Sequence, residues 1–285
     1  MKEVGLCGFG YWGSNLARCF NQLEALKVIY DFNMAPRDRA RVAYPHVEVR
    51  PTYEGIDFSG IDAVAVATPP ETHFHIAKQF LEGGKDVFIE KPMTTSYNDA
   101  ILLVETAKEL GRNLMVGHIY LSNGGIKSMP IPVGRAELYV QLLNEKGGPS
   151  PSTRDVLWAA LPHACSLALH FFPDMPEWIE AKREGERIKA TLTYWNGSVV
   201  YLDVGDFTGR KLRRVELRDG LRALRFDVAN PNVHLTSAPR GWIQEEGSDE
   251  EPLLTECKAF LEYKGVDPMG PKVVKLIEDI RICLK

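Results

Sequence analysis

The sequence predicts an α/β chain in two parts. A parallel sheet wound with helices comes first, and an α+β domain on an open, largely antiparallel sheet follows. Three observations lead there. Short apolar runs alternate with helix-period stretches from Val4 to Val116, the pattern of repeated βα units. That alternation stops after Gly117-His118, where glycines and prolines crowd a stretch without a period. Beyond it, strand-like runs separated by turn residues dominate, closed by two helices.

The apolar runs Val4–Cys7, Lys27–Tyr30, Ala63–Ala67, Val87–Ile89 and Leu114–Val116 read as buried parallel strands, since they carry no polar alternation. Helix patterns lie between them at Asn15–Leu23, Pro36–Ala43, Thr72–Leu81 and Ser96–Leu110. Ser96 suits a helix cap, and Gly111 and Gly83-Gly84 suit left-handed ends. In the second part the spacing predicts a strand over Arg135–Leu143, a polar loop over Gly147–Ser152 and a helix from Asp155 to Phe172. Further strands are expected at Ile188–Tyr194, Val199–Val204, Leu212–Leu217, Leu221–Val228 and Val233–Leu235. Trp195-Asn196-Gly197 and Arg218-Asp219-Gly220 are hairpin turns by composition. Helices over Pro252–Tyr263 and Pro271–Leu284 end the chain, and the domains divide as residues 1–119 and 120–285.

A chain of 285 residues accommodates two such domains. The net charge of -4 gives no global attraction for nucleic acid or an acidic membrane, so neither is expected as a partner. The basic run between Arg210 and Arg225 lacks interleaved aromatics and reads as a solvated hairpin face. Cys7, Cys19, Cys165, Cys257 and Cys283 are scattered without CxxC spacing, which predicts reduced thiols and no metal site. With no long apolar span and no leader pattern, a cytoplasmic protein is expected.

Chemistry enters with Gly8-x-Gly10-x-x-Gly13, set between the first strand and the first helix, the context a Rossmann dinucleotide-binding fingerprint requires. Such glycines allow a tight turn, close approach of backbone to a pyrophosphate, and contact of helix with strand. A glycine turn without a nucleotide is the plain alternative. Asp31 ends the second strand about 20 residues on, where a carboxylate accepts ribose hydroxyls and repels a 2′-phosphate. NAD(H) is therefore favoured over NADP(H), although Arg37 and Arg39 lie close enough in sequence to hold a phosphate. Thr68-Pro69-Pro70-Glu71-Thr72-His73 forms a stiff loop at a later strand end that would border the dinucleotide, with His73 expected to make a structural hydrogen bond.

Glu90-Lys91-Pro92 follows the strand ending at Ile89, at the edge where ligands of open α/β sheets bind. Partial burial and a neighbouring nicotinium cation would both lower the amine's pKa and suit Lys91 to proton transfer, with Glu90 holding Lys91 or Pro92 in place. In the second domain His163 follows Pro162 in the predicted helix. It is either a packing residue or, if that helix lines the cleft, a second acid–base group.

Together Gly8-Phe9-Gly10-Tyr11-Trp12-Gly13-Ser14-Asn15, Ala67-Thr68-Pro69-Pro70-Glu71-Thr72-His73, Glu90-Lys91-Pro92-Met93-Thr94-Thr95-Ser96 and Met115-Val116-Gly117-His118 resemble the Gfo/Idh/MocA oxidoreductases. Arg154-Asp155-Val156-Leu157-Trp158 with Pro162-His163 is a weaker match, and the likeness fades after Phe172. The Gly-Tyr-Trp-Gly form looks most like the branch acting on nucleotide-linked sugars. The resemblance implies that Gly8, Gly10, Tyr11, Trp12, Gly13, Asp31, Thr68, Pro69, His73, Glu90, Lys91 and Pro92 surround NAD(H). It makes Lys91 and His163 the proton-handling pair; Arg154, for a phosphate or carboxylate, and Trp158, for a sugar face, are candidate substrate contacts by their chemistry. One departure stands out: the family's aspartate one helical turn before the histidine is Ala159, and the residue after the histidine is Ala164.

The expectation is an NAD-dependent oxidoreductase interconverting a secondary alcohol and a ketone on a sugar or nucleotide sugar. Its rival is a non-catalytic NAD(H)-binding sensor of the same fold. The open sheet is expected to bury its outer face in a homo-oligomer, a dimer or tetramer.

Overall fold

The computed structural model describes residues 2–53, 60–145, 156–207, 211–220, 222–227, 233–238, 241–246 and 250–284. The loop expected over Gly147–Ser152, together with Arg154 and Asp155, lies outside the described residues. Two compact units result: Met1–Gly117 with Leu253–Pro271, and His118–Pro252 with Lys272–Lys285.

The first unit holds a six-stranded sheet in the order β3-β2-β1-β4-β5-β6. Its strands are β1 (Val4–Cys7), β2 (Leu26–Tyr30), β3 (Glu48–Arg50), β4 (Ala63–Val66), β5 (Asp86–Glu90) and β6 (Leu114–Gly117), every pair parallel. All residues of β1, β4 and β5 are buried, because helices cover both faces and leave no wet side to alternate toward. Those helices include α1 (Tyr11–Gln22), α2 (Met34–Ala43), α3 (His73–Glu82) and α4 (Tyr97–Glu109). Ser96 caps α4, its Oγ accepting the Asp99 N–H as the sequence predicts. The strand order reverses direction between β1 and β4, which puts a crevice at their carboxyl ends.

The C-terminal segment corrects the expected division, which assigned the whole tail to the second domain. Residues Leu253–Pro271 pack in the first unit. Phe260 of α8 (Pro252–Glu262) closes a cluster with Phe20 and Phe88, all three fully buried with rings edge to face. Leu114 pairs in parallel with Val266, so the chain covers the outer edge of β6. No sequence period could reveal this, since α8 is an ordinary amphipathic helix whose partner is set by tertiary contact.

The second unit holds an eight-stranded sheet in the order β14-β13-β12-β11-β7-β10-β9-β8. Its strands are β7 (Ala136–Glu145), β8 (Trp178–Glu184), β9 (Arg187–Thr193), β10 (Val199–Phe207), β11 (Leu212–Asp219), β12 (Arg222–Asp227), β13 (Val233–Ala238) and β14 (Gly241–Glu246). Only β7 and β10 are parallel to one another; the other pairs are antiparallel. Both hairpin turns form, with Gly197 at φ 76° and Gly220 at φ 59° taking the left-handed conformation. Short α5 (Gly124–Ser128) packs so tightly that a Cβ on Gly125 would sit 2.0 Å from the Phe226 ring.

The helix expected from Asp155 to Phe172 is two helices, α6 (Val156–Ala159) and α7 (Leu161–Phe171), broken at Ala160. Pro162 is the reason: it has no N–H to donate to Trp158, and its ring would clash with that carbonyl, so the helix restarts with proline in its first turn. The last helix, α9, spans Met269–Cys283. Among the described residues no helix is long and apolar enough to cross a membrane.

Candidate functional site

Gly8 sits at φ 92°, and a Cβ there would lie 2.7 Å from the Ala67 carbonyl oxygen of the neighbouring strand end. A Cβ on Gly13 would lie 1.9 Å from the Gly8 carbonyl, so only glycine lets α1 approach β1 this closely. Gly10 differs: nothing of the protein comes within 4 Å of its Cβ position. It precedes α1 with no side-chain cap. The helix N-terminus is thereby left bare, with amides and dipole available to an anion.

Asp31 follows β2 and braces this loop. Its Oδ2 accepts the Phe9 N–H at 2.7 Å and its Oδ1 the Asn33 N–H at 2.8 Å. Each carboxylate oxygen has a second acceptor site, enough for a pair of vicinal hydroxyls. Arg37 donates through Nη1 to the Asp31 and Phe32 carbonyls at 2.9 and 2.7 Å, so its guanidinium is engaged by backbone. Arg39 is exposed and reaches the Phe9 carbonyl only at 3.5 Å.

The strand-end loops after β4 and β5 are joined by His73. Its Nδ1 lies 2.8 Å from the Pro92 carbonyl and its Nε2 2.9 Å from the Thr68 carbonyl. Two carbonyls favour the imidazolium, yet the ring is 1% exposed, and burial outweighs them to hold the pKa below the ordinary value. Thr72 Oγ1 bonds Thr68 Oγ1 and the Pro69 carbonyl, each at 2.7 Å, closing a rigid turn over Pro70–Thr72. His73 thus has the structural hydrogen bonds expected of it.

Glu90 links the strand end to the glycine loop. The Trp12 indole N–H donates to its Oε1, and the Lys91 backbone N–H donates to Oε2 at 3.2 Å. A Cβ on Gly117 would stand 3.1 Å from Oε1, so glycine at the end of β6 makes room for the carboxyl. Burial pushes Glu90 up to about 7, against the opposing pull of the Lys91 charge and the Trp12 and Lys91 hydrogen bonds. Lys91 itself is half-buried, and its bond to Pro92 is cis. The structure therefore gathers Gly8, Gly10, Trp12, Gly13, Asp31, Thr68, His73, Glu90 and Lys91 into one connected network in the first unit. Tyr11 projects outward at 85% exposure.

In the second unit His163 lies half-buried in the first turn of α7, its ring 4.6 Å from that of Tyr120. Trp158 is half-buried at the end of α6. Sequence reading missed Tyr120, because it falls in the patternless stretch after Gly117. A concavity of about 500 Å³ lies on the outer face of the eight-stranded sheet, lined among others by Tyr139, Tyr201, Asp203, Arg214 and Arg218. None of the candidate residues lines it. The basic hairpin is partly neutralised on this face: Arg218 and Arg225 both pair with Glu216 at 2.8 Å.

Residues 2–118 match the family model described as the Gfo/Idh/MocA oxidoreductase family, NAD-binding Rossmann fold. A 2,7-anhydro-N-acetylneuraminate hydratase of Escherichia coli K12 is 30% identical over 131 residues, 45% of this chain and 34% of that protein. That match thus spans about a third of the relative's length. A UDP-N-acetylglucosamine 3-dehydrogenase of Acidithiobacillus ferrooxidans is 25% identical over 277 residues, covering 91% of this chain and 87% of its own. The solved structure of that name from the same organism superposes with a TM-score of 0.89 at 22% identity, over 99% of this chain and 97% of that one. A 3-ketoreductase from Actinomadura kijaniata, in complex with TDP-benzene and NADP, gives 0.86 at 17% identity over 100% and 98%. These likenesses establish the fold.

Proposed function

We propose that the protein is an NAD-dependent oxidoreductase that interconverts a secondary alcohol and a ketone on a sugar, most naturally a nucleotide-linked one. The observation that carries this reading is the Trp12–Glu90 hydrogen bond. It ties the glycine loop that would hold a pyrophosphate to the strand end that presents Lys91. The open space at Gly10, the uncapped α1 and the braced Asp31 carboxylate fit a dinucleotide. With Arg37 held by backbone carbonyls, they favour NAD(H) over NADP(H). The substrate class is taken from the relatives, whose names include a nucleotide-sugar 3-dehydrogenase and a 3-ketoreductase.

Bound NAD⁺ would supply the hydride acceptor at C4 of its nicotinamide. The chain's own residues do the rest. Lys91 Nζ takes the hydroxyl proton as the carbinol hydrogen leaves, and returns a proton in the reverse direction. Glu90 fixes the backbone of Lys91 and places a carboxyl near its ammonium. His163, in the second unit, is the second proton-handling group. Trp158 offers an apolar face to a sugar ring, and Arg154 a cation to a phosphate.

Absorbance at the reduced-nicotinamide band, with NAD⁺ and a panel of nucleotide sugars, tests the reading. NADH formation that Lys91→Met reduces by about a thousandfold or more is the expected result, in the range general acid–base groups supply. Undiminished turnover in that variant overturns the mechanism. Ala159 and Ala164 beside His163 favour the sensor reading, which predicts NADH binding without turnover across the panel.

A further inference from the structure

The surroundings of His163 within the second unit contain a construction that the proposed reaction does not by itself explain. Tyr120 lies in the 3₁₀ turn Ile119–Ser122 and sets its ring against the imidazole, centroids 4.6 Å apart and planes tilted by 35°. Arg213 of β11 lies near enough to its hydroxyl to oppose the rise that burial gives that group's pKa. That guanidinium is itself fixed, donating through Nη1 to the Leu143 and Leu212 carbonyls at 2.6 and 3.0 Å and through Nη2 to Asn144 Oδ1. Arg213, fixed at the end of β7, thus stands beside Tyr120, whose ring lies against His163.

Among the described residues, the other elements packed around His163 carry mostly apolar side chains. From α6 come Val156, Leu157, Trp158 and Ala159. On α7 its own neighbours are Ala164 and Leu167, and Ser166 Oγ donates to its carbonyl at 2.9 Å. His170 lies two turns on, with its pKa lowered by burial. His118 precedes the Tyr120 turn. The strands beneath the helix present buried aliphatics such as Leu138, Val140 and Val200. An aromatic face carries negative quadrupole density and attracts a cation lying over it, so Tyr120 favours the protonated imidazole; Arg213, at the far edge of the same ring, opposes this more distantly.

We propose that Tyr120 is the positioning residue that aims the His163 imidazole and steadies its protonated form. The catalytic side of this inference rests on the role given to His163 above; the electrostatic side does not.

The test is an NMR titration of the full chain, with the His163 signal assigned by its loss in His163→Gln. Tyr120→Leu is expected to lower the His163 pKa by about 0.5 to 1.5 units, the range for removing a ring from a cation. Tyr120→Phe, which keeps the ring, is expected to move it by less than half the shift seen with leucine. If Tyr120→Leu does not fold, Tyr120→Met supplies a ringless side chain of greater length. In the wild type, cross-relaxation between the Tyr120 and His163 ring protons must also be present. An unchanged pKa in a folded ringless variant, or absent cross-relaxation, overturns the proposal. Turnover then separates the two readings: a lowered pKa with turnover insensitive to His163→Gln leaves Tyr120 in its role and removes His163 from the reaction.

Discussion

Glu90, which accepts the Lys91 N–H, and His73, which bonds the Pro92 carbonyl, are buried titratable side chains that burial moves in opposite senses. Glu90 is raised from 4.5 to about 7, so the folded state holds its proton more tightly than the unfolded chain does. The resulting stability is complete below 4.5 and is lost as pH rises through about 7. His73 is lowered, so its contribution is present above the ordinary 6.5 and lost as pH falls below it. Glu90→Gln removes only the first effect. Thermal melts from pH 4 to 8 should show the variant gaining on the wild type as pH rises, and a constant difference would contradict the burial argument. For Asp31→Ser, loss of the carboxylate should weaken NADH and relieve the repulsion of a 2′-phosphate. The expected outcome is an NADH/NADPH affinity ratio reduced by tenfold or more in paired fluorescence titrations, about 1.4 kcal/mol.

At the scale of elements, the turn from β1 into α1 separates two uses of glycine. Gly13→Ala forces a methyl to 1.9 Å from a backbone oxygen and should cost about 3 kcal/mol or more, or prevent folding. Gly10→Ala meets no protein atom, so its melting temperature should stay near wild type while NADH binding weakens. Equal losses of stability in both would show that the open space at Gly10 serves the fold and not a ligand. The unpredicted strands β3, β8 and β14 have a common cause: all three are edge strands. β8 alternates only between half-buried and exposed residues, and β3 has no buried residue. An edge strand is held by hydrogen bonds along one side and need not carry the apolar pattern that marks a central one. Central strands such as β4 and β5 were legible because burial on both faces writes itself into their composition.

For the molecule as a whole, the return of the chain to its first unit carries the clearest prediction. Phe260→Ala removes the third ring of the Phe20–Phe88 cluster and should destabilise the first unit by about 3–5 kcal/mol. Hydrogen exchange should accordingly quicken in β1 and β5 more than in β9 and β10. The outer face of the eight-stranded sheet bears stacked Tyr139 and Tyr201 with Arg218 over the first ring. We propose that a second copy covers it, as an open sheet face with exposed aromatics favours. Light scattering should then give a mass at least twice the 32.0 kDa of one chain, and Tyr201→Glu should return it toward that value.

By itself the sequence determined the winding of the first sheet, the glycine loop with Asp31, the placement of Lys91 at a strand end, and both hairpins of the second unit. Each of these is local: spacing, backbone conformation and burial of a continuous run are written within a few residues of one another. Tertiary structure alone decided that α8 completes the first core, that Pro162 splits the helix bearing His163, that Trp12 reaches Glu90, and that Tyr120 and Arg213 stand behind His163. Those contacts join residues far apart in the chain through side chains whose partners no local pattern names. A ring or a guanidinium gains its role only when packing brings a distant group within hydrogen-bonding or stacking distance.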